Sequence, residues 1–487
     1  MKIAVLGDLH LTDNFGSVKL SVLEWALRTA AKLECDCICC IGDMTAQGSD
    51  RQTEEILKRL KECGIPFCST PGNAELRLFP DGRNEARFNL PSGEKFPIIL
   101  INTAKDEPAA EELSKLAALP EQAGFLLATH NPPSEWSACA REILQEAQRS
   151  GAVTSVIAGH FHHDEEGILR GLDPDKASGA PPMFAVLEPL KSGIWKRSDM
   201  VMPGVDPGEW TKSEREEFRR NLGFSTMRDS VAALEFAALH QVQNVELRLH
   251  ETEYNEHLIK AVSKWRNRGG KILSLHLPDL TLHDDTGALE RYAAMALYLG
   301  CERVTLHVPR VTAAEFAQAQ DILLEKFKRT LGKLLENKVS IGIENLHTTP
   351  EKNTFETRNF GCTIEECRHW ITLLRESFST DLIGFHLDIG HCRNNAPISG
   401  RENLSDWYCS MGDLVNGWHL HQVTASHGKF TNHAPLTGWY EKLISLGGLF
   451  LALKAKQLKP APMFLESRTW EGNKQAYLKL MEFLSND

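Results

Sequence analysis

The sequence lacks any apolar run that approaches the roughly 18 residues required for a membrane-spanning helix. Its first residues, Met1–Asp8, are typical of a buried strand and lack the basic and apolar regions of a secretory signal. Low-complexity segments are also lacking, and the 487 residues exceed the size of one ordinary domain. We therefore expect a cytoplasmic protein of two domains that has no membrane as a partner.

An excess of basic residues is lacking as well. The chain has 54 lysines and arginines against 65 aspartates and glutamates, a formal net charge of −11. Proteins that bind nucleic acid without specificity normally present a basic surface, so the charge argues against that class. Divalent ions bound at specific sites would offset part of the negative charge, which weakens this argument for a metal-dependent enzyme.

Cysteines are present, but their distribution is not that of a disulfide framework. Four of the twelve crowd one predicted strand, at Cys35, Cys37, Cys39 and Cys40, and the others are scattered. In a cytosolic protein such residues are typically reduced and part of the core. The alternative is a redox-sensitive cluster in this strand.

Residues 1–195 have the pattern of a layered α/β domain. Short apolar strands alternate with predicted helices such as Val18–Leu33 and Asp50–Cys63, and most strands end at an acidic residue, an asparagine or a histidine. Open α/β sheets bind their ligands at these carboxyl ends. Residues 196–220, which include the turn-rich stretch Met202–Gly208, are predicted to be a linker.

Residues 221–487 show a regular alternation of strand and helix. Eight such units in about 265 residues have the size of a (β/α)8 barrel. The predicted strands are Leu222–Ser225, Asn244–Leu249, Ile272–Leu277, Arg303–Val308, Val339–Asn345, Leu382–Asp388, Gly417–His421 and Met463–Glu466.

The first domain carries a set of metal-ligating residue types at its strand ends. Asp8 and His10 lie two residues apart, so both can reach one ion, and Asp43 follows a second strand and could bridge two ions. Oxygen and nitrogen ligands of this mixed type suit Mn, Fe or Zn. Two ions roughly 3.5–4 Å apart can hold both oxygens of an in-line displacement and activate a water molecule. The remaining candidates are Asn73, His130, His160 and His162.

These motifs resemble, in order, those of the calcineurin-like metallophosphoesterase family. The resemblance implies an N-terminal layered β-sandwich with flanking helices and a site for two metal ions. It implies that one ion is held by Asp8, His10, Asp43 and His162, and the other by Asp43, Asn73, His130 and His160. Asp43, Asn73 and His130 are the residues that we predict to be catalytic in this domain.

Ala74 departs from the family pattern, which most often has histidine there to protonate the leaving group or stabilise the transition state. Alanine carries no proton, and general acid catalysis typically contributes roughly 10²- to 10⁴-fold. One interpretation is a site for leaving groups that need little protonation, as in some phosphodiesters. The other is a weak or degenerate site. We favour the first, because every metal ligand is retained.

The second domain has its own set of polar residues at the predicted strand ends, where barrel enzymes place their catalytic groups. Glu344, Asp388, His421 and Glu466 each end a strand, and His391 follows Asp388 by three residues. This half resembles the xylose-isomerase-like TIM-barrel superfamily, which includes sugar isomerases, epimerases and endonucleases of the endonuclease IV type. The resemblance implies a metal core of the four strand-end residues.

Three further histidines help to decide which branch of this superfamily the chain resembles more. His276, His307 and His433 fall where the endonuclease branch places additional zinc ligands, which favours a nuclease-like site with Zn or Mn. Thr431 departs from that branch, because an aspartate normally pairs with the late histidine from this position. The alternative is that the three histidines are hydrogen-bonded structural residues.

The leading hypothesis is a two-domain metallohydrolase that cleaves a phosphodiester, with DNA or RNA as a candidate substrate, and in which Glu344 and Glu466 bind metal or orient water. The main alternative is a carbohydrate enzyme that pairs sugar-phosphoester hydrolysis with isomerisation or epimerisation in the barrel. The acidic charge and Thr431 favour that alternative, whereas the additional histidines oppose it. A third class is a regulatory nucleic-acid-binding protein whose barrel has lost catalysis, and the intact ligand set argues against it.

The substitution Ala74→His tests the preference for diesters. It restores an ionisable group beside the leaving group, so we expect phosphomonoesterase activity to rise relative to phosphodiesterase activity. Hydrolysis of alkyl monoesters and of diesters by both proteins measures this ratio. An unchanged ratio would contradict the interpretation.

Overall fold

The computed structural model describes residues 1–92, 95–191, 193–349, 351–393, 403–426 and 429–485. The chain forms two compact units. The first comprises Met1–Asp206 together with Tyr440–Leu451, and the second comprises Pro207–Trp439 with Ala452–Asp487. Among the described residues, no helix has both the length and the apolar character required to cross a membrane.

The first unit contains two sheets. The strands are β1 Ile3–Leu6, β2 Cys37–Ile41, β3 Phe67–Thr70, β4 Ile98–Ile101, β5 Phe125–Thr129, β6 Val153–Ala158, β7 Met183–Pro189 and β8 Trp195–Val201. Five strands form a sheet in the order β3-β2-β1-β7-β8, and three form a second sheet in the order β4-β5-β6. The helices are α1 Val18–Lys32, α2 Asp50–Cys63, α3 Glu85–Phe88, α4 Ala110–Ala117 and α5 Ala138–Arg149.

The two sheets pack through one apolar core, which confirms the predicted sandwich. Ile3 and Val5 of the first sheet share this core with Ile98 and Leu126 of the second. Alternate residues of a strand face the same side, so each sheet contributes every second side chain. Cys37, Cys39 and Cys68 belong to the same core. All twelve cysteines are free thiols, as expected for reduced residues.

The predicted linker at 196–220 contains regular structure and includes the boundary between the two units, at Asp206 and Pro207. Residues 195–201 form β8, which pairs antiparallel with β7 and anchors Trp195 in the core of the first unit. The charged residues of this edge strand, such as Arg197, obscured its alternation; Arg197 pairs with Asp199 at 2.6 Å. Lys212–Asn221 forms a helix with a capping box at Thr211.

A late segment of the chain completes the first unit through backbone hydrogen bonds. Gly179 N–H donates to the Tyr440 carbonyl at 3.0 Å, and Ser445 N–H donates to the Asp175 carbonyl at 2.9 Å. Gly448 N–H donates to the Pro174 carbonyl at 3.0 Å. The loop around residues 174–179 therefore depends on residues that lie more than half the chain length away.

The strands of the second unit are β9 Leu222–Ser225, β10 Asn244–Leu247, β11 Ile272–His276, β12 Arg303–His307, β13 Ser340–Glu344, β14 Ile383–Asp388, β15 Val415–Leu420, β16 Gln422–Ser426, β17 Lys429–Ala434 and β18 Met463–Leu465. Eight of them form a closed parallel barrel in the order β9-β10-β11-β12-β13-β14-β15-β18, which confirms the eight predicted strands. The antiparallel pair β16 and β17 was not predicted. The helices described in this later part of the chain are α6 Lys212–Asn221, α7 Ser230–His240, α8 Glu256–Asn267, α9 Gly287–Tyr298, α10 Ala313–Glu336, α11 Ile364–Phe378, α12 Leu404–Met411, α13 Gly447–Lys454 and α14 Trp470–Ser485.

Trp265 shows how a helix is fixed against the barrel. It lies on α8, its side chain is fully buried, and its indole N–H donates to the Val242 carbonyl at 2.7 Å. Gly270 packs on the same indole ring, where a Cβ atom would collide with it. A large buried ring with a satisfied donor anchors both the helix and the loop that precedes β10.

We expect Trp265→Ala to lower the free energy of unfolding of the barrel by about 3–5 kcal/mol, because it leaves a cavity and an unpaired carbonyl. Tyr298→Ala is the matched control. Its side chain is 68% exposed, so the change should stay within about 0.5 kcal/mol. Denaturant unfolding followed by circular dichroism measures both values. Equal losses would contradict the assigned role of Trp265.

Candidate metal centres

The ligands of the first centre are held by unusual backbone geometry. Asp8, His10, Asp43, His160 and His162 all have positive φ angles, between 50° and 72°. Such conformations are costly for residues other than glycine and persist only where the surrounding structure imposes them. They turn the chain sharply at the ends of β1, β2 and β6, so that the side chains converge.

Asp43 lies between two groups of donors. Its Oδ2 is 3.6 Å from His10 Nε2, and its Oδ1 is 3.4 Å from His130 Nε2. On the first side, His10 Nε2 is 3.3 Å from His162 Nε2, which is 3.8 Å from Asp8 Oδ1. These four residues are the first ligand group implied by the sequence.

The second group lies around His130. Its Nε2 is 3.1 Å from Asn73 Oδ1 and 3.2 Å from His160 Nδ1. Its other nitrogen, Nδ1, bonds to the Ile41 carbonyl at 3.0 Å. That bond assigns the proton to Nδ1 and leaves Nε2 as the donor atom for an ion. All seven predicted residues of the first unit are therefore brought together, with Asp43 shared.

The electrostatics of this centre suit a divalent cation. Burial and the nearby Asp43 raise the pKa of Asp8. Burial and the charge of Lys176 lower the pKa values of His10 and His162, which keeps both imidazoles neutral. Neutral imidazoles and buried carboxylates are the forms that bind metal ions. The residues present thus fit a two-metal site.

Glu75 is a positioning residue that the sequence argument did not assign. Its buried carboxylate accepts hydrogen bonds from the backbone N–H groups of Asp43, Thr45 and Gly72 at 2.8–2.9 Å. Burial and the proximity of Asp43 raise the pKa of Glu75 to about 7. One side chain thereby fixes the two loops that carry Asp43 and Asn73.

Ala74 has a backbone role but no chemical side chain. Its N–H donates to Asp43 Oδ1 at 2.7 Å, and its methyl group is fully buried. The position that could carry a proton donor therefore helps to orient the shared carboxylate instead.

In the barrel, Glu344 connects two histidines. Its Oε2 is 3.1 Å from His276 Nε2, and its Oε1 is 3.5 Å from His307 Nε2. One carboxylate oxygen therefore faces His276 and the other faces His307, and all three side chains are buried. The geometry suits one ion held by these residues.

Asp388, His421, His433 and Glu466 form a neighbouring group that could hold another ion. His421 Nε2 lies 3.0 and 3.1 Å from the two Asp388 oxygens, and His433 Nδ1 lies 3.4 Å from Glu466 Oε2. Burial and the neighbouring His421 lower the pKa of His433 to about 2, so it stays neutral.

His391 adjoins this group. Its Nδ1 bonds to the Asn345 carbonyl at 2.9 Å and lies 3.5 Å from Asp388 Oδ2. Burial lowers the pKa of His391 to about 3. With it, every barrel residue predicted as a ligand lies in one connected cluster. Thr431 is in β17, opposite Thr424 of β16.

Sequence reasoning missed His419, which lies at the centre of the barrel cluster. Its Nδ1 is 3.1 Å from Glu344 Oε1 and 3.2 Å from Glu466 Oε2, and its Nε2 is 2.6 Å from Glu246 Oε1. Burial alone would lower the pKa of His419, but Glu344 and Glu246 raise it to about 10. The signal was available, because His419 and His421 are two residues apart and share one side of the strand.

Asp279 was also missed. Its Oδ1 bonds to His307 Nδ1 at 2.7 Å, which orients the ring so that Nε2 faces Glu344. Burial alone would raise the pKa of Asp279, but the hydrogen bond to His307 lowers it to about 2. Burial alone would lower the pKa of His307, but Glu344 and Asp279 raise it to about 9. Carboxylates in this position commonly fix the imidazole of a metal ligand.

Comparison with protein-family models assigns both halves. Residues 208–486 match the model described as xylose isomerase-like TIM barrel, which covers more than half of the chain. The chain belongs to that family. Residues 1–164 match the model described as calcineurin-like phosphoesterase, so both resemblances drawn from the motifs are confirmed. The match to the phosphoesterase model supports hydrolase chemistry in the first unit.

Three solved structures are each similar to part of the chain. A D-tagatose 3-epimerase-like protein is 18% identical over 54% of this chain and 97% of its own, with a TM-score of 0.39. Endonuclease IV from Thermus thermophilus is 16% identical over 54% and 98%, with a TM-score of 0.40. A dimetal phosphatase from Danio rerio is 15% identical over 38% and 92%, with a TM-score of 0.29. A search of curated proteins gave no match.

Gly390 provides a test of the barrel centre. A Cβ atom there would collide with the imidazole of His421. We expect Gly390→Ala to displace His421 from Asp388 and to weaken metal binding about 10- to 100-fold, as measured by competition with a chelator and by elemental analysis. Gly438→Ala is the control, because nothing lies within 4 Å of its added Cβ. If Gly390→Ala leaves the metal affinity unchanged, His421 is not a metal ligand.

Proposed function

We propose that the protein is a metal-dependent phosphodiesterase with two metal sites, one in each unit, which acts on nucleic acid or a nucleotide-like diester. The observation that carries this proposal is the position of Asp43, whose two oxygens face different donor groups at 3.6 and 3.4 Å. A carboxylate shared in this way is suited to hold two ions side by side, the arrangement used for in-line displacement at phosphorus.

Two divalent ions would supply positive charge for the phosphoryl oxygens and lower the pKa of a water molecule in the first unit. The chain's own residues then do the positioning. Asp43 fixes the spacing of the two donor groups, Asn73 and His130 orient the second group, and Glu75 holds the loops. Mn, Fe or Zn suits these nitrogen and oxygen ligands.

The identity of residue 74 favours diesters over alkyl monoesters. Ala74 contributes a backbone N–H to Asp43 and no side-chain proton. A leaving group that is a poor base departs without protonation, so its hydrolysis loses little from this absence. We therefore propose that the first unit acts on phosphodiesters whose leaving group needs little protonation.

In the barrel, Glu344 and Glu466 are placed to bind metal or orient water, and Zn or Mn suits the histidine-rich set. His276, His307 and His433 extend the cluster beyond the four residues of a single-metal core, which supports the nuclease-like assignment. The predicted cytoplasmic location remains a prediction.

A carbohydrate enzyme is the second candidate, and one observation favours it. His433 lies against Glu466, a residue of the four-ligand core, and Thr431 offers no carboxylate to it. A barrel with one ion would then suffice for isomerisation or epimerisation. Elemental analysis distinguishes the candidates, because we expect more than three metal ions per chain for the nuclease and about three for the isomerase.

Two substitutions test the nuclease assignment. Asp43→Asn removes charge from the shared ligand and Glu344→Ala removes a barrel ligand, so each should lower cleavage of labelled DNA or RNA by about 10²-fold or more. Single-stranded, nicked and abasic substrates are compared. Asp381→Asn and Glu325→Ala are the controls, because these carboxylates are 102% and 71% exposed. The proposal fails if both ligand variants retain full nuclease activity.

A further inference from the structure

Four arginines line a cleft beside the barrel ligands. The cleft has a volume of about 580 Å³, and three of the predicted metal-binding histidines line it as well. The arginines are Arg228, Arg248, Arg310 and Arg468. In a chain with a net charge of −11, this local concentration of positive charge is a specific feature of the barrel mouth.

The backbone places two of these arginines at the cleft. Met227 and Arg228 have φ angles of 47° and 74°, so two successive residues adopt the left-handed conformation after β9. Arg228 N–H donates to the Arg248 carbonyl at 3.1 Å, and Arg468 N–H donates to the His433 carbonyl at 3.0 Å. Both loops are thus tied by backbone hydrogen bonds to residues that line the cleft.

The arginines differ in their charge partners. Arg310 pairs with Asp279 at 3.1 Å, and Arg248 pairs with Glu466. Within the described ranges of the chain, neither Arg228 nor Arg468 has an ion pair, and both side chains are exposed. Asp279 also lines the cleft, where it pairs with Arg310, so the guanidinium groups of Arg228 and Arg468 are left to bind an anion.

We propose that Arg228 and Arg468 bind the phosphate group of a small phosphorylated molecule, the substrate of the barrel site. A guanidinium group offers parallel N–H donors that match two phosphate oxygens. The cleft volume lies within the roughly 300–1,000 Å³ of small-molecule sites. The phosphate would lie beside His276 and His433, within reach of the metal ligands.

This inference rests on the proposed function and narrows it, because it names the substrate class of the same barrel site. A long single strand would need a positively charged groove that follows its backbone. The four arginines instead surround one compact cleft, and lysines and arginines elsewhere are mixed with acidic residues. A small nucleotide-like diester therefore fits the cleft better than a polymer.

Titration calorimetry of the metal-loaded, full-length protein with ribose 5-phosphate and with ribose tests the inference. We expect ribose 5-phosphate to bind at least about tenfold more tightly than ribose. Arg228→Gln and Arg468→Gln should each weaken its binding about tenfold or more and leave ribose binding unchanged. Arg268→Gln is the matched control, because this exposed arginine lies at the end of α8 and does not line the cleft.

Equal affinities for the two ligands, or unchanged binding of ribose 5-phosphate by both cleft variants, would overturn the inference. Much tighter binding of a single-stranded oligonucleotide than of ribose 5-phosphate would also overturn it, if Arg268→Gln weakened oligonucleotide binding as much as the two cleft substitutions do. Melting temperatures verify that each variant is folded. Because the readout is binding without turnover, absence of nuclease activity would refute the proposed function and leave this inference standing.

Discussion

The parallel direction of neighbouring strands is the constraint on which both centres depend. In the first unit β1, β2 and β3 run parallel, as do β4, β5 and β6, so the ligands that follow them converge from two sheets. In the barrel all eight strands run parallel, and those that deliver the ligands end at one mouth. Residues that are far apart in the sequence thereby become neighbours without long connecting loops.

Convergence of the strand ends does not by itself orient the ligand side chains. Backbone conformation and hydrogen bonds also hold the loops and rings in place. Left-handed backbone conformations turn the ligand-bearing loops, and Glu75 and Asp279 hold a loop and an imidazole ring in place. The His421 ring lies directly against Gly390, in space that the Cβ atom of any other residue would fill. The fold itself therefore places the candidate ligands, an arrangement that would reduce the ordering cost of metal binding.

Features that depend on local sequence patterns could be predicted from the sequence, and features that depend on which strands are neighbours could not. The barrel strands and the strand-end ligands depend on local patterns, and the structure has them within about two residues. His419, Glu246 and Asp279 depend on which strands are neighbours and which way a ring is turned, and neither is a local property. The strand at 195–201 was missed because an exposed edge strand with charged residues lacks the apolar alternation of a buried one.

The discontinuous first unit has a consequence for the synthesis of the protein. Three backbone hydrogen bonds of its loop around residues 174–179 are made with residues 440–448. A ribosome must therefore produce nearly the whole chain before the first unit can complete its hydrogen bonds. A gene fragment that ends at residue 206 would encode both sheets and all seven candidate ligands but not this closing segment, so the first unit is linked to the barrel by the order of folding as well as by a peptide bond.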